Sequence, residues 1–175
     1  MKKFELTAES KINIFGKKLF RIKALISFGD VEEGETGGWI EKEENLEQSS
    51  GDAWVSGDAE VSGDARVSGN AEVSGNARVS GDAWVYGDAR VYGDAEVSGN
   101  ADYTTIHGFG TQFRTTTFFQ CEDKQIRVSC GCFLGTIPEF REQVKNTREG
   151  KIAEEYLMIA DLMEKHFVKE KESGE

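Results

Sequence analysis

The sequence is poor in the residues that usually carry chemistry. It has two histidines, three cysteines and one proline in 175 residues. General-base catalysis near neutral pH therefore has two histidine positions to draw on, His107 and His166. Three cysteines, Cys121, Cys130 and Cys132, form no disulfide framework, and an odd count fits a reducing compartment. No run of about 18 apolar residues occurs, so no helical membrane span is expected. The opening "MKKFELTAES" lacks the apolar stretch of a signal peptide. Basic side chains are outnumbered 21 to 32, leaving a net charge of −11. That excludes broad nucleic-acid or anionic-membrane binding, which needs a basic face. A cytoplasmic protein with no DNA, RNA or membrane partner is the expectation. Only residues 106–136 reverse the sign, with three basic and two acidic side chains. Residues 51–105 carry three and ten.

What the sequence does have is a repeat. "GDAWVYGDARVYGDAEVSGN" says one phrase of six letters several times, and the frame Ala-x-Val-Ser/Tyr-Gly-Asp/Asn runs from Ala53 to Asn100 in eight copies. In each copy Ala and Val point to one side of a short strand and the x and Ser/Tyr positions to the other. Gly-Asp and Gly-Asn are corner residues, because they tolerate left-handed backbone. A strand and a corner every six residues close a triangle every three copies. The coils then stack at the strand spacing of about 4.8 Å. Gly, Asp and Ser are also abundant in disordered tracts. Against disorder stands the unbroken recurrence of Val and Ala.

This frame resembles the hexapeptide repeat of left-handed parallel β-helices, the fold of many acyltransferases. The resemblance implies the handedness and a homotrimer. The stretch "LFRIKALISFGDVEEGETGGWIEKEENL", with the repeats, resembles uncharacterised hexapeptide proteins of phages and gut bacteria. "TTTFF…VSCGCFLGT" resembles a module that ends such phage proteins. A phage origin implies a small accessory protein in the host cytoplasm. Such a protein blocks host defence by engaging a host protein or by sequestering a nucleotide signal.

An open β-helix exposes strand edges and needs caps. Residues 1–50 supply one: a hairpin turning near Gly16 and a degenerate first coil marked by Ile40 and Leu46. The nine residues from Leu46 to Val55 imply a small insertion before the regular prism of residues 51–105. Residues 106–175 form a third unit. Its hairpin is expected to turn at Glu122-Asp123-Lys124. One face would carry Phe113, Thr115, Thr117, Phe119 and the cysteines. The other would carry Gln112, Arg114, Thr116, Gln120, Arg127 and Ser129. Two helices follow. Thr136 and Glu139 make a capping box, with Pro138 in the first turn. Ile137, Phe140 and Val144 form one apolar stripe, and Ile152, Tyr156, Ile159, Met163 and Phe167 another. The tail "KEKESGE" reads as frayed. The fold class is thus mainly β, a parallel β-helix with an N-terminal β cap and a C-terminal hairpin plus two helices.

Stacking residue n over n+18 gives three faces. Face A carries Trp54, Glu72 and Arg90, beside Tyr92. Face B carries Glu60, Arg78 and Glu96. Face C carries Arg66, Trp84 and Asp102, beside Tyr86. Outward aromatics on a polar sheet invite cover, so Trp54, Trp84, Tyr86, Arg90 and Tyr92 mark a trimer seam. The plainer alternatives are a scatter of tolerated surface aromatics or cover from the chain's own helices.

Three chemistries compete for the site. Acyl transfer needs a histidine base, and the prism has none; His107, in "IHGFG", is a weak catalytic candidate. Cys130-Gly-Cys132 lacks the C-x₂-C spacing of zinc sites, so buried free thiols are the better reading. Turn chemistry explains the Asp and Asn corners without calcium. No metal and no cofactor are expected. The third candidate is an anion site on the positive segment, with Arg114, Thr116, Gln120, Arg127 and Ser129 as donors and His107, Gly108 and Gly110 at its mouth. Non-catalytic binding of a nucleotide-like anion or a host protein is the favoured function. An acyltransferase-like enzyme and a polymer-forming repeat protein are the alternatives.

Overall fold

A computed structural model describes residues 2–168; the tail "KEKESGE", expected to fray, lies outside the described residues. Three strands come first: β1 (Phe4–Ile12), β2 (Lys18–Ala24) and β3 (Thr36–Ile40). Gly16, at φ +74°, sits in the turn between β1 and β2. A 3-10 turn at Glu43–Asn45 follows. Then come eight two-residue strands. These are β4 (Trp54–Val55), β5 (Glu60–Val61), β6 (Arg66–Val67), β7 (Glu72–Val73), β8 (Arg78–Val79), β9 (Trp84–Val85), β10 (Arg90–Val91) and β11 (Glu96–Val97).

Their parallel pairing makes a three-turn β-solenoid. Face A is β4-β7-β10, face C is β6-β9, and face B continues the N-terminal strands in the order β1-β2-β3-β5-β8-β11. The period of six dictates this. Every Val from Val55 to Val97 and every Ala from Ala53 to Ala95 is 0–1% exposed. Each buried Val stabilises by about 1.5–3 kcal/mol against leaving it in water. The corners turn on glycine. Gly69 has φ +68°, and a Cβ there would lie 3.0 Å from the backbone N of Gly87 on the next coil. Beside the glycines, Asn70 donates to Asp88 (3.0 Å) and Asn76 to Asp94 (3.2 Å). An amide between carboxylates replaces like-charge repulsion with a hydrogen bond.

The degenerate first coil is present. Ile40 pairs with Val61, and Leu46 bridges to Val67. Both spacings exceed the regular one by the insertion before Val55. Face C ends early, however. Asp102 does not join it: its carboxylate accepts from the backbone N–H groups of Ser98 (2.9 Å) and Gly99 (3.0 Å) and turns the chain out. Asn100 Oδ1 takes the Trp84 N–H at 2.8 Å, and the Tyr103 hydroxyl donates to the Trp84 carbonyl, which closes the top edge of face C. Burial pushes the Tyr103 phenol up to about 12. Face B is tied to both caps. Its charges find partners on the caps rather than on each other: Lys11–Glu60 at 2.8 Å, Arg78–Glu122 at 3.1 Å and Lys124–Glu96 at 2.8 Å.

The C-terminal module has a four-stranded antiparallel sheet, β12 (Tyr103–Phe109), β13 (Arg114–Gln120), β14 (Ile126–Cys130) and β15 (Phe133–Thr136), in that order. Helices α1 (Ile137–Thr147) and α2 (Gly150–Phe167) pack on it. The Thr136–Glu139 capping box forms, and hydrogen bonds from Thr136 hold the Glu139 carboxyl below the usual glutamate range. Both apolar stripes face the core, with Ile152 and Phe167 at its margin. No helix among the described residues is long and apolar enough to cross a membrane.

Candidate functional site

The sheet's register decides which side chains meet. Phe119 pairs with Arg127, Thr117 with Ser129, and Thr116 with Cys130. Odd residues of β13 therefore share a face with odd residues of β14, the reverse of the expected arrangement. The face with Phe119 packs into the prism core, and the face with Phe118 and Val128 packs under the helices. Both sides of this strand pair are covered, so the expected solvated polar face is not formed. Thr116 and Ser129 are each 2% exposed. The Thr116 hydroxyl donates to Cys130 Sγ (3.2 Å), and the Ser129 hydroxyl donates to the Tyr92 hydroxyl (3.2 Å). Gln120 is half-buried, and its N–H bonds the Asp102 carbonyl at 2.8 Å.

The expected cluster is thereby split. Arg127 lies on the prism side, paired with Asp123 at 2.7 Å. It borders a cavity of about 410 Å³ that also holds Asp94 and Glu122, a poor place for an anion. The Gln125 N–H, then Arg127, keep the Asp123 carboxyl below its ordinary range. Gly110 serves packing rather than a ligand. Tyr156 of α2 lies so close that a Cβ at Gly110 would stand 2.5 Å from its hydroxyl. Gly108, at φ +92°, has open space around it. The cysteines part company too. Cys121 is buried, which pushes its thiol up to about 11, whereas Cys130 is half-buried and Cys132 exposed. His166 is an exposed residue of α2.

Other residues come together instead. A groove of about 710 Å³ runs between face A of the prism and the β12–β13 end of the sheet, lined by Asp88, Arg90, His107, Phe113, Arg114, Thr115, Gly131 and Cys132. Arg90 is held at backbone and side chain: its backbone N–H donates to Thr117 Oγ1 (3.1 Å), and its guanidinium donates to Glu72 at 3.2 Å. His107 Nδ1 lies 3.0 Å from Thr115 Oγ1. Arg114 pairs with no carboxylate among the described residues. Its guanidinium passes over Gly131, where a Cβ would lie 2.5 Å from Nη1; Gly131 is also at φ +61°. Asp88 is the one carboxylate in the lining, and it already accepts from Asn70. Of the expected anion-site residues, His107 and Arg114 meet here. Arg90, Phe113, Thr115 and Gly131 join them, although the sequence does not single them out for this role. No spacing links Arg90 to Arg114, since only the docking of the sheet on face A brings them together.

The outward aromatics divide in two. Trp54 is 5% exposed, covered by Phe4 and Phe28 of the N-terminal cap at ring distances of 6.4 and 5.5 Å, so it is closed to any neighbour. Tyr92 is half-buried against Phe119. Trp84 and Tyr86 stay 50% and 57% exposed, with ring centroids 5.4 Å apart on face C.

The YdcK beta solenoid repeat matches this chain twice, over residues 71–87 and 83–99, and fits the three-turn β-solenoid. No curated protein matches the chain.

Proposed function

We propose that this β-solenoid repeat protein is a non-catalytic binding protein, and that its ligand is a small anion held in the groove between face A and the C-terminal sheet. The observation that carries the reading is the convergence of Arg90, Arg114 and His107 on one groove whose lining holds one carboxylate, Asp88, with Glu72 beside it paired to Arg90. The chain as a whole carries −11. An acidic body repels anions, so a bound one needs clustered donors close at hand. Arginine suits this role, because its planar fork matches phosphate or carboxylate oxygens. His107 rests on a threonine hydroxyl rather than a carboxylate, which supports a ligand-holding role over the general base of an acyltransferase. The resemblance to phage hexapeptide proteins supports sequestration of an anionic signal in host defence as the cellular role. The bare Trp84–Tyr86 pair supports association with further copies, read as mass by light scattering.

Titration calorimetry with inorganic phosphate tests the site. Wild type binds. Arg114→Ala weakens binding about tenfold or more, the usual worth of a charge-assisted hydrogen bond. Arg127→Ala, in the other cavity, leaves affinity unchanged. Equal binding by wild type and Arg114→Ala overturns the proposal.

A further inference from the structure

We infer that the anion in this groove is a nucleotide, with its base stacked on Phe113 and its phosphate on Arg114 and Arg90. The inference rests on the groove being an anion site and adds the chemical class of the ligand. Phe113 ends the turn between β12 and β13, at φ +49°. That region of backbone is a genuine outlier for a bulky side chain, and such strain persists only where the surroundings enforce it. Here the pairing of Phe109 with Arg114 closes the turn around it.

The strain leaves Phe113 largely uncovered by the chain. Phe118, Phe119 and Phe140 of the same module are buried, whereas Phe113 is 65% exposed while lining the groove. An exposed aromatic ring that shares a groove with Arg114, the Glu72-paired Arg90 and an imidazole matches a ligand with a flat aromatic part and an anionic part. A nucleotide has both, and base–aromatic stacking tolerates any base. The size agrees. A groove of about 710 Å³ exceeds what a lone phosphate fills and falls in the range of small-molecule sites. His107 and Thr115, 3.0 Å apart in the same lining, add hydrogen-bonding groups of the kind a sugar hydroxyl needs.

The test titrates adenosine monophosphate and ribose 5-phosphate separately into three proteins: wild type, Phe113→Gly and Phe113→Trp. Glycine suits a positive φ, so Phe113→Gly removes the ring without straining the turn. In wild type the nucleotide binds about tenfold more tightly than the sugar phosphate. Phe113→Gly loses that advantage and keeps the sugar phosphate's affinity, and Phe113→Trp retains the advantage. Equal affinity of the two ligands for wild type overturns the nucleotide while leaving the anion site standing. An advantage that survives Phe113→Gly overturns the stacking role. If neither ligand binds, the anion site fails as well.

Discussion

The prism buries one side of most of its strands, whereas the central pair β13–β14 of the sheet docked on it is buried on both. In the prism, Val79 is fully buried while its neighbour Arg78 reaches outward to Glu122. In the sheet, the adjacent Phe118 and Phe119 are both 0% exposed, one under the helices and one in the prism core. A one-sided strand writes its orientation into its letters. A two-sided strand does not, because both alternating positions must be apolar or internally hydrogen-bonded. The groove lies where the two kinds of construction meet, with Arg90 from the first and Arg114 from the second.

The largest effects should separate the two regions through adjacent residues. Truncating a buried Phe costs about 3–5 kcal/mol. Phe119→Ala opens the prism's upper end, and Phe118→Ala opens the helix core. Amide exchange followed by mass spectrometry should show faster exchange at β10 and β11 in the first variant and in α1 and α2 in the second. The same region loosening in both variants would break the distinction.

A smaller effect sharpens it. Thr136→Ala removes the cap of α1 and should destabilise the module by about 1 kcal/mol. The capping box also carries a pH dependence. Hydrogen bonds from Thr136 lower the Glu139 pKa in the folded state. The stability this contributes is present above the ordinary glutamate value and is lost as pH falls through the folded value. Wild type should therefore lose part of its lead over Thr136→Ala on acidification, measured by urea unfolding at pH 7 and pH 3. A constant difference would mean that the bond from the Thr136 hydroxyl to the carboxylate contributes nothing, since the backbone N–H of residue 136 still donates to Glu139 in the variant.

The same contrast explains what was legible in the sequence. The six-residue frame settled the solenoid, because Val and Ala at fixed spacing leave no other register that buries them all. The Thr136–Glu139 capping box and the helical stripes were equally plain, since each rests on contacts within a few residues. The insertion after Leu46 followed from counting. The faces of β13 and β14 were misread because Thr116 and Ser129 look solvent-facing by composition, yet each is buried with a hydrogen-bond partner. Trp54 was misplaced because the period fixes its direction but not the cap that covers it. Arg90 read as part of an exposed edge for the same reason. Phe113 read as a strand residue, although its position in a turn after Gly108 and Gly110 was a signal that it stands outside the alternation.

If the prism and the C-terminal module build one binding groove together, Arg90 and Arg114 must act on the same anion. A double-mutant cycle of Arg90→Ala and Arg114→Ala, read as phosphate affinity by titration calorimetry, tests this most directly. Each single change should weaken binding about tenfold, and the double change should differ from the product of the two, because both guanidinium groups act on one anion. Unchanged affinity in Arg90→Ala, with the loss confined to Arg114→Ala, would show that the prism contributes no ligand contact and would contradict a shared groove.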